Sequence, residues 1–263
     1  MTMAIKAQPL PVLTEEQLHQ FHAKGYLVLE SFAPAALCEE LQHITQEHLA
    51  AAIEPLEYEA DVGYPGAPDS LEAPGGRTVR RLRGAYQRHP SLRGWAKYRP
   101  LVAVLRQLLQ EPPCLTQAHH NCVMTKHPDY GTATDWHRDI RYWSFLKPDL
   151  ISVWLSLGAE NAQNGGLKFI PGSHRMAISP DQLDDLDFLR PDVEENQELF
   201  AQGVELTLAA GDVVLFHSGL FHAAGANQSD QVKTSVVFAY HGHSNRPIPG
   251  TRSAHSSTVF LAN

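Results

Sequence analysis

Cysteine is scarce: Cys38, Cys114 and Cys122 are the only three in 263 residues. They are too few and too irregular for a disulfide frame or a zinc knuckle. No apolar run approaches the ~18 residues that a membrane-crossing helix needs, and the opening MTMAIKAQPL has no signal-peptide core. The expectation is a cytoplasmic protein with no integral membrane segment. Positive charge is not in surplus either. The formal net charge is -8, which argues against nucleic acid as a partner. Charged residues make up only 19% against 43% hydrophobic, a balance that suits a packed chain and excludes general disorder. Internal repeats and low-complexity tracts are absent. What stands out is histidine, present 15 times. That many permit a metal site without proving one.

The first hundred residues read as mainly helical. Thr14 followed by Gln17 is a helix start, with a hydroxyl N-cap and a side chain three residues on to bond back. Leu18 and Phe21 give this helix its apolar face, and Gly25 ends it. Tyr26 to Leu29 predicts a strand, and 34–52 a second helix with Leu37, Leu41, Ile44 and Leu49 near helical spacing. Residues 54–76 read as a long loop rich in Pro, Gly and acid. Residues 77–99 hold eight Lys or Arg and no acid, and a helix is expected over 101–109. From Leu115 the texture changes to short β-rich runs between tight turns: 122–125, 151–157, 167–170, 204–208, 213–216 and 232–240. That pattern points to a sandwich or barrel. Residues 181–198 carry eight Asp or Glu against Arg190 alone; this insert is expected to be a mobile cover outside the core. The whole chain, 1–263, reads as one domain, its mainly helical part (14–110) packed on a β core (115–240).

The sharpest local feature is Trp136-His137-Arg138-Asp139. In an extended segment residues i and i+2 share a face, so His137 and Asp139 could offer an imidazole and a carboxylate to one ion. A third ligand must come from farther on, and His217 and His222 are the candidates. Two His and one carboxylate with the other positions open is the chemistry of non-haem Fe(II) oxygenases.

Three stretches in order resemble the phytanoyl-CoA dioxygenase family of Fe(II)/2-oxoglutarate-dependent oxygenases. They are Trp136 to Asp139, then Asn164-Gly165-Gly166-Leu167 through Pro171-Gly172-Ser173-His174, then Gly211-Asp212 through Phe216-His217 and on to His222 and Asn227. Residues 21–29 resemble that family's entry segment, so the likeness spans roughly 14–240. It implies a mainly β fold with flanking helices around a double-stranded β-helix (jelly roll, cupin-like) core. It also implies His137, Asp139 and His222 as the iron ligands, with His217 structural. The carboxylate of Asp139 favours hydroxylation over halogenation, because halogenating relatives lack it.

The resemblance further implies 2-oxoglutarate as co-substrate, chelated to iron by its keto-acid end and held at the far carboxylate by a cation. The family's usual Arg-x-Ser is here Lys233-Thr234-Ser235. Lys233 and Ser235 share a strand face, although an ammonium lacks the guanidinium's planar fork. Asn121 and Lys126 on the preceding strand, and Trp154, are further expected to line the co-substrate site. Arg138, Arg141, Tyr142 and Trp143 are expected to edge the mouth. The implied partners are O2 and a small or lipid-linked metabolite. The basic run 77–99 favours an anionic one, such as a sugar acid of the Kdo type, an acyl-CoA or an amino-acid-like compound. Oligomeric state is not readable. The alternative is a catalytically silent jelly-roll protein that binds a ligand without turnover, which Lys233 favours and the intact ligand set opposes. A zinc hydrolase is opposed by the lack of a carboxylate base beside the ligands.

Overall fold

The computed structural model describes residue 10 and residues 12–261. Of the opening MTMAIKAQPL, where a signal-peptide core would stand, only Leu10 lies within them. The first half holds α1 (Glu15–Lys24), β1 (Tyr26–Leu29), α2 (Ala35–Ala50), β2 (Leu56–Tyr58), β3 (Val79–Arg83), α3 (Ala85–Arg88), α4 (Pro90–Ala96) and α5 (Arg99–Leu109). Then come β4 (Pro113–Lys126), β5 (Thr134–His137), β6 (Leu150–Ser156) and β7 (Leu167–Phe169). The chain continues through α6 (Glu194–Ala201), β8 (Val204–Glu205), β9 (Val213–His217), β10 (His222–Ala224), β11 (Lys233–Gly242) and β12 (Thr258–Phe260).

Helix α1 begins as its sequence dictates. The Thr14 hydroxyl accepts from the Gln17 amide while the Gln17 side chain accepts from the Thr14 amide. It ends at Gly25, whose φ of +81° suits glycine and whose N–H reaches the Phe21 carbonyl at 2.7 Å. Packing demands glycine there too, since a Cβ would stand 2.5 Å from the His174 ring.

The strands form two antiparallel sheets. The larger runs β1-β9-β6-β11-β4-β3-β2, with β12 also paired to β4, and the smaller runs β5-β10-β7-β8. The fold is a double-stranded β-helix with flanking helices, a jelly roll of the cupin type. Between the sheets lie Cys122, Trp154, Leu167, Phe169, Val214, Phe216 and Val237. The other face of the large sheet, through Val153, Leu155, Val236, Phe238 and Tyr240, packs on Leu41, Trp95, Leu101 and Leu105 of the helices. Strands β6 and β11 are therefore buried on both faces, which is why they read as nearly continuous apolar runs.

Two expectations need correction. Residues 54–76 are not all loop, because Leu56–Tyr58 forms β2 and pairs with β3 inside the basic run. The acid-rich insert is not outside the core. Phe188 and Leu189 are each 3% exposed, Leu189 N–H donates to the Trp136 carbonyl at 2.8 Å, and Phe188 forms a β-bridge with His137. Phe188 and Leu189 stand side by side in an acid-rich stretch, so periodicity does not reveal them.

Candidate metal centre

Strand β5 ends at His137 and β10 begins at His222, and the two are register partners. Cross-strand partners on one face bring side chains together, and the two imidazoles lie 4.2 Å apart, centre to centre. Asp139 is not on the strand. It opens a short 3-10 turn after β5, so the shared face survives a change of backbone rather than following from a continuous strand. One ligand atom from each of His137, Asp139 and His222 lies within 4.8 Å of the others, and all three residues are buried.

The hydrogen bonds around the triad leave it ready for a cation. His137 Nδ1 is 2.8 Å from the Asp135 carbonyl and His222 Nδ1 is 3.0 Å from the Leu220 carbonyl. A carbonyl only accepts, so each Nδ1 carries a proton, and in the neutral ring each Nε2 presents a lone pair. Both Nε2 atoms face Asp139 Oδ1, at 3.8 and 3.5 Å. Asp139 Oδ2 accepts from the Ser152 hydroxyl at 2.9 Å, and His120 Nε2 lies 3.0 Å from Oδ1. Burial alone would raise the Asp139 carboxyl, but His120 and His222 outweigh it and hold it well below the usual carboxylate range. Burial, then His222, push His137 well below the ordinary imidazole value, which favours the neutral ligating form. At His222 burial works downward, yet Asp139 carries it upward. Two imidazole lone pairs and an ionised carboxylate converging in a buried space fit Fe(II).

His120 reaches Asp139 through an irregularity in β4. Asn121 pairs with Phe238, but Thr116 pairs with Ala239, so residues 117–120 bulge out of register. His119 within the bulge has φ +66°, left-handed backbone that is uncommon for a side-chain-bearing residue, and its ring stacks on Tyr142 at 3.6 Å. His217 stays outside the cluster. Its Nδ1 accepts from the Gly219 amide at 2.9 Å and its Nε2 lies 3.5 Å from Asp149.

A cavity of about 40 Å³ adjoins the triad, walled by Trp154, Leu167, Met124, Thr134, Ala224 and Tyr142 among others. A second, of about 290 Å³, shares Tyr64, Arg81 and Tyr142 with it and adds Arg83, Arg141 and Arg252 against Glu57 and Asp61. Arg141 and Tyr142 thus stand at a mouth. The other two residues expected there do not: Trp143 is buried with its indole N–H on the Ala118 carbonyl at 2.8 Å, and Arg138 lies over the Phe221 ring.

Lys233 and Ser235 point inward together, and both are bonded to Glu160. Lys126 is buried on the same sheet. Asn121 instead accepts from the Tyr86 amide, towards α3. The sequence points to Arg141 at the mouth but not to Ser152, His120, Glu160, Arg81, Arg83 or Arg252 as site residues. Ser152 stands two residues before Trp154 on β6, a spacing that could have placed it inward. Nothing in the spacing joins Glu160 to Lys233.

A buried pair of histidines and a carboxylate on a double-stranded β-helix define a non-haem iron oxygenase. The sequence profile of the phytanoyl-CoA dioxygenase family (PhyH) matches residues 21–235. The chain belongs to that family, and so to the Fe(II)/2-oxoglutarate-dependent oxygenases. Among curated relatives it is 24% identical over 242 residues to the peroxisomal phytanoyl-CoA dioxygenase of Homo sapiens, covering 86% of this chain and 67% of that one. To the ectoine dioxygenase of Halomonas elongata it is 24% identical over 266 residues, covering 95% and 76%. Among solved structures, EctD from S. alaskensis with 2-oxoglutarate and 5-hydroxyectoine superposes with a TM-score of 0.73 at 24% identity, covering 92% and 80%. The carbocyclase SnoK from nogalamycin biosynthesis gives 0.70 at 19%, covering 92% and 89%.

Proposed function

We propose that this chain hydroxylates a C–H bond of a small anionic metabolite, consuming 2-oxoglutarate and O2 and releasing succinate and CO2. The observation that carries the anionic substrate is Arg141. Its guanidinium stands in the mouth between Tyr142 and Phe188, 4.9 and 4.4 Å from their ring centres. Its Nη1 is buried with no hydrogen-bond partner. A buried donor left unpaired is costly, and a carboxylate or phosphate entering the mouth would satisfy it. Arg81 is already paired with Glu57, which leaves Arg83, Arg141 and Arg252 as the mouth's arginines without an ion-pair partner among the described residues, against Asp61 alone. Relatives named for an acyl-CoA and for ectoine leave the substrate class wide, and a sugar acid, an acyl-CoA or a lipid-linked anion all meet the charge requirement.

In this reading His137, His222 and Asp139 would hold Fe(II), which would activate O2 and offer a chelation point for the keto acid. Ser152 and His120 fix the Asp139 carboxylate so that Oδ1 faces the two imidazoles. Trp154, Leu167 and Met124 wall the chamber and exclude water. Arg141 orients the anion so that its target C–H faces the triad. The test is incubation of the Fe(II)-loaded protein with 2-oxoglutarate, 18O2 and a panel of anionic metabolites. One member gaining a labelled oxygen supports the reading, and keto-acid consumption that no anion stimulates contradicts the substrate class.

A catalytically silent binding protein is favoured by one observation, the occupation of Lys233 and Ser235 by Glu160. Binding of an anion with no succinate release under any member of the panel would favour it.

A further inference from the structure

The chamber beside the triad holds about 40 Å³, little more than the ~30 Å³ that one water occupies in the liquid. Neither 2-oxoglutarate nor a substrate fits in that space. The mouth holds about 290 Å³, and three residues line both cavities: Tyr64, Arg81 and Tyr142. The partition between mouth and chamber is made of these side chains. Tyr64 and Tyr142 close it with a hydrogen bond of 2.8 Å between their hydroxyls. Arg81 is held by Glu57, and its Nε donates to Met124 Sδ at 3.2 Å.

Of the three, Tyr64 is the one without a rigid base. Arg81 belongs to β3. Tyr142 lies in the short turn after β5, with its ring stacked on His119 at 3.6 Å. Tyr64 instead opens the exposed turn Tyr64-Pro65-Gly66-Ala67. The Ala67 amide donates to the Tyr64 carbonyl at 2.9 Å and Gly66 has φ +81°, the form of a type II turn with proline and glycine at its centre. Apart from this bond, the backbone of residues 63–68 makes no hydrogen bond among the described residues. The Tyr64 side chain is held by Tyr142, by the edge of Phe188 at 5.2 Å between ring centres and by the Arg80 guanidinium at 5.3 Å. A segment with so few backbone bonds opens far more readily than a strand.

We propose that Tyr64 is the door of the metal chamber: breaking its hydrogen bond to Tyr142 lets the 64–67 turn swing outward and joins the mouth to the triad. The proposal rests on the reading of His137, Asp139 and His222 as the metal site. A door sets the rate of passage in both directions. Its hydrogen bond is present in the closed protein whether the centre is empty or loaded, so it cancels from the equilibrium affinity. A residue that merely supports the triad does the reverse and changes the affinity.

The test is anaerobic stopped-flow with Fe(II) alone. Uptake by metal-free protein is followed by tryptophan fluorescence, with Trp154 in the chamber wall as reporter, and release by trapping the metal with excess chelator. Tyr64→Phe should speed uptake and release alike by roughly two- to ten-fold, the effect of losing one hydrogen bond, and leave the affinity at the wild-type value. Tyr142→Phe removes the same bond and should give the same result. The double variant should be no faster than the faster single one. Wild-type rates in both single variants would overturn the proposal in favour of another route to the triad. A change in only one of the two rates, and hence in affinity, would overturn it in favour of a supporting role. Further acceleration in the double variant would overturn the shared bond as the latch. Failure of wild type to bind Fe(II) would overturn the metal centre and the door together.

Discussion

The hydroxyl of Ser152 donates to Oδ2 of Asp139 at 2.9 Å, turning the other carboxylate oxygen towards His137 and His222. Strand β6 thereby sets the orientation of a ligand that sits outside any strand. Ser152→Ala should lower Fe(II) affinity by ~10–100-fold, the usual effect of removing a partner that orients a ligand, while the melting temperature stays close to wild type. Metal titration of the two proteins checks it. Equal affinity would mean that His120 alone suffices to hold the carboxylate.

His222 and His217 are five residues apart and have unrelated surroundings. His222→Ala should abolish stoichiometric Fe(II) binding. His217→Ala should leave it intact, because that ring serves the Gly219 amide and Asp149. Iron content after desalting distinguishes them. Iron lost only from the His217 variant would move the centre to the wrong histidine.

Arg80 and Glu59 form an ion pair at 2.8 Å with side chains 3% and 1% exposed, and Arg80 Nη2 also reaches Thr134 Oγ1 at 2.7 Å, at the start of the strand that ends in His137. Breaking a buried pair from one side strands the other charge. Arg80→Met should cost ~3–5 kcal/mol in urea unfolding, and Glu59→Gln in the same background should recover part of it. A loss within surface-mutation range, ~0.5 kcal/mol, would contradict the pairing.

Phe188 packs on the His137 ring at 5.5 Å between centres. Phe188→Ala should destabilise the fold by ~3–5 kcal/mol and speed proteolysis within 181–198. A mobile cover with no anchor would show neither change.

The cluster was legible in part because His137 and Asp139 stand two apart, which left His217 and His222 as candidates for the third member. The preference for His222 comes from the resemblance to the family, and the structure brings His222 to the other two. A β sandwich or barrel was legible from short apolar runs, and β1 and β9 fall on two of them; the double-stranded β-helix comes from the resemblance to the family. Strands β5 and β10 were not, since Thr134–His137 and His222–Ala224 form no apolar run. His120 was hidden by the bulge at 117–120, because a register shift in one strand depends on its partner. Glu160 was hidden for a related reason: its meaning comes from Lys233 and Ser235, more than seventy positions away. A lone acid after a strand reads as an ordinary turn residue until the fold closes over it. The four mouth arginines come from β3, the turn after β5 and a segment near 252, which no local pattern joins.

CO2 release from 1-labelled 2-oxoglutarate under O2, compared between Fe(II)-loaded wild type and Asp139→Ala, asks whether His137, Asp139 and His222 hold the iron of a 2-oxoglutarate-dependent oxygenase. Wild type should release CO2 in an iron-dependent way, with succinate formed in equal amount, and the variant should release no more than iron in buffer. Wild-type release at that buffer level, or undiminished release from Asp139→Ala, would contradict that assignment.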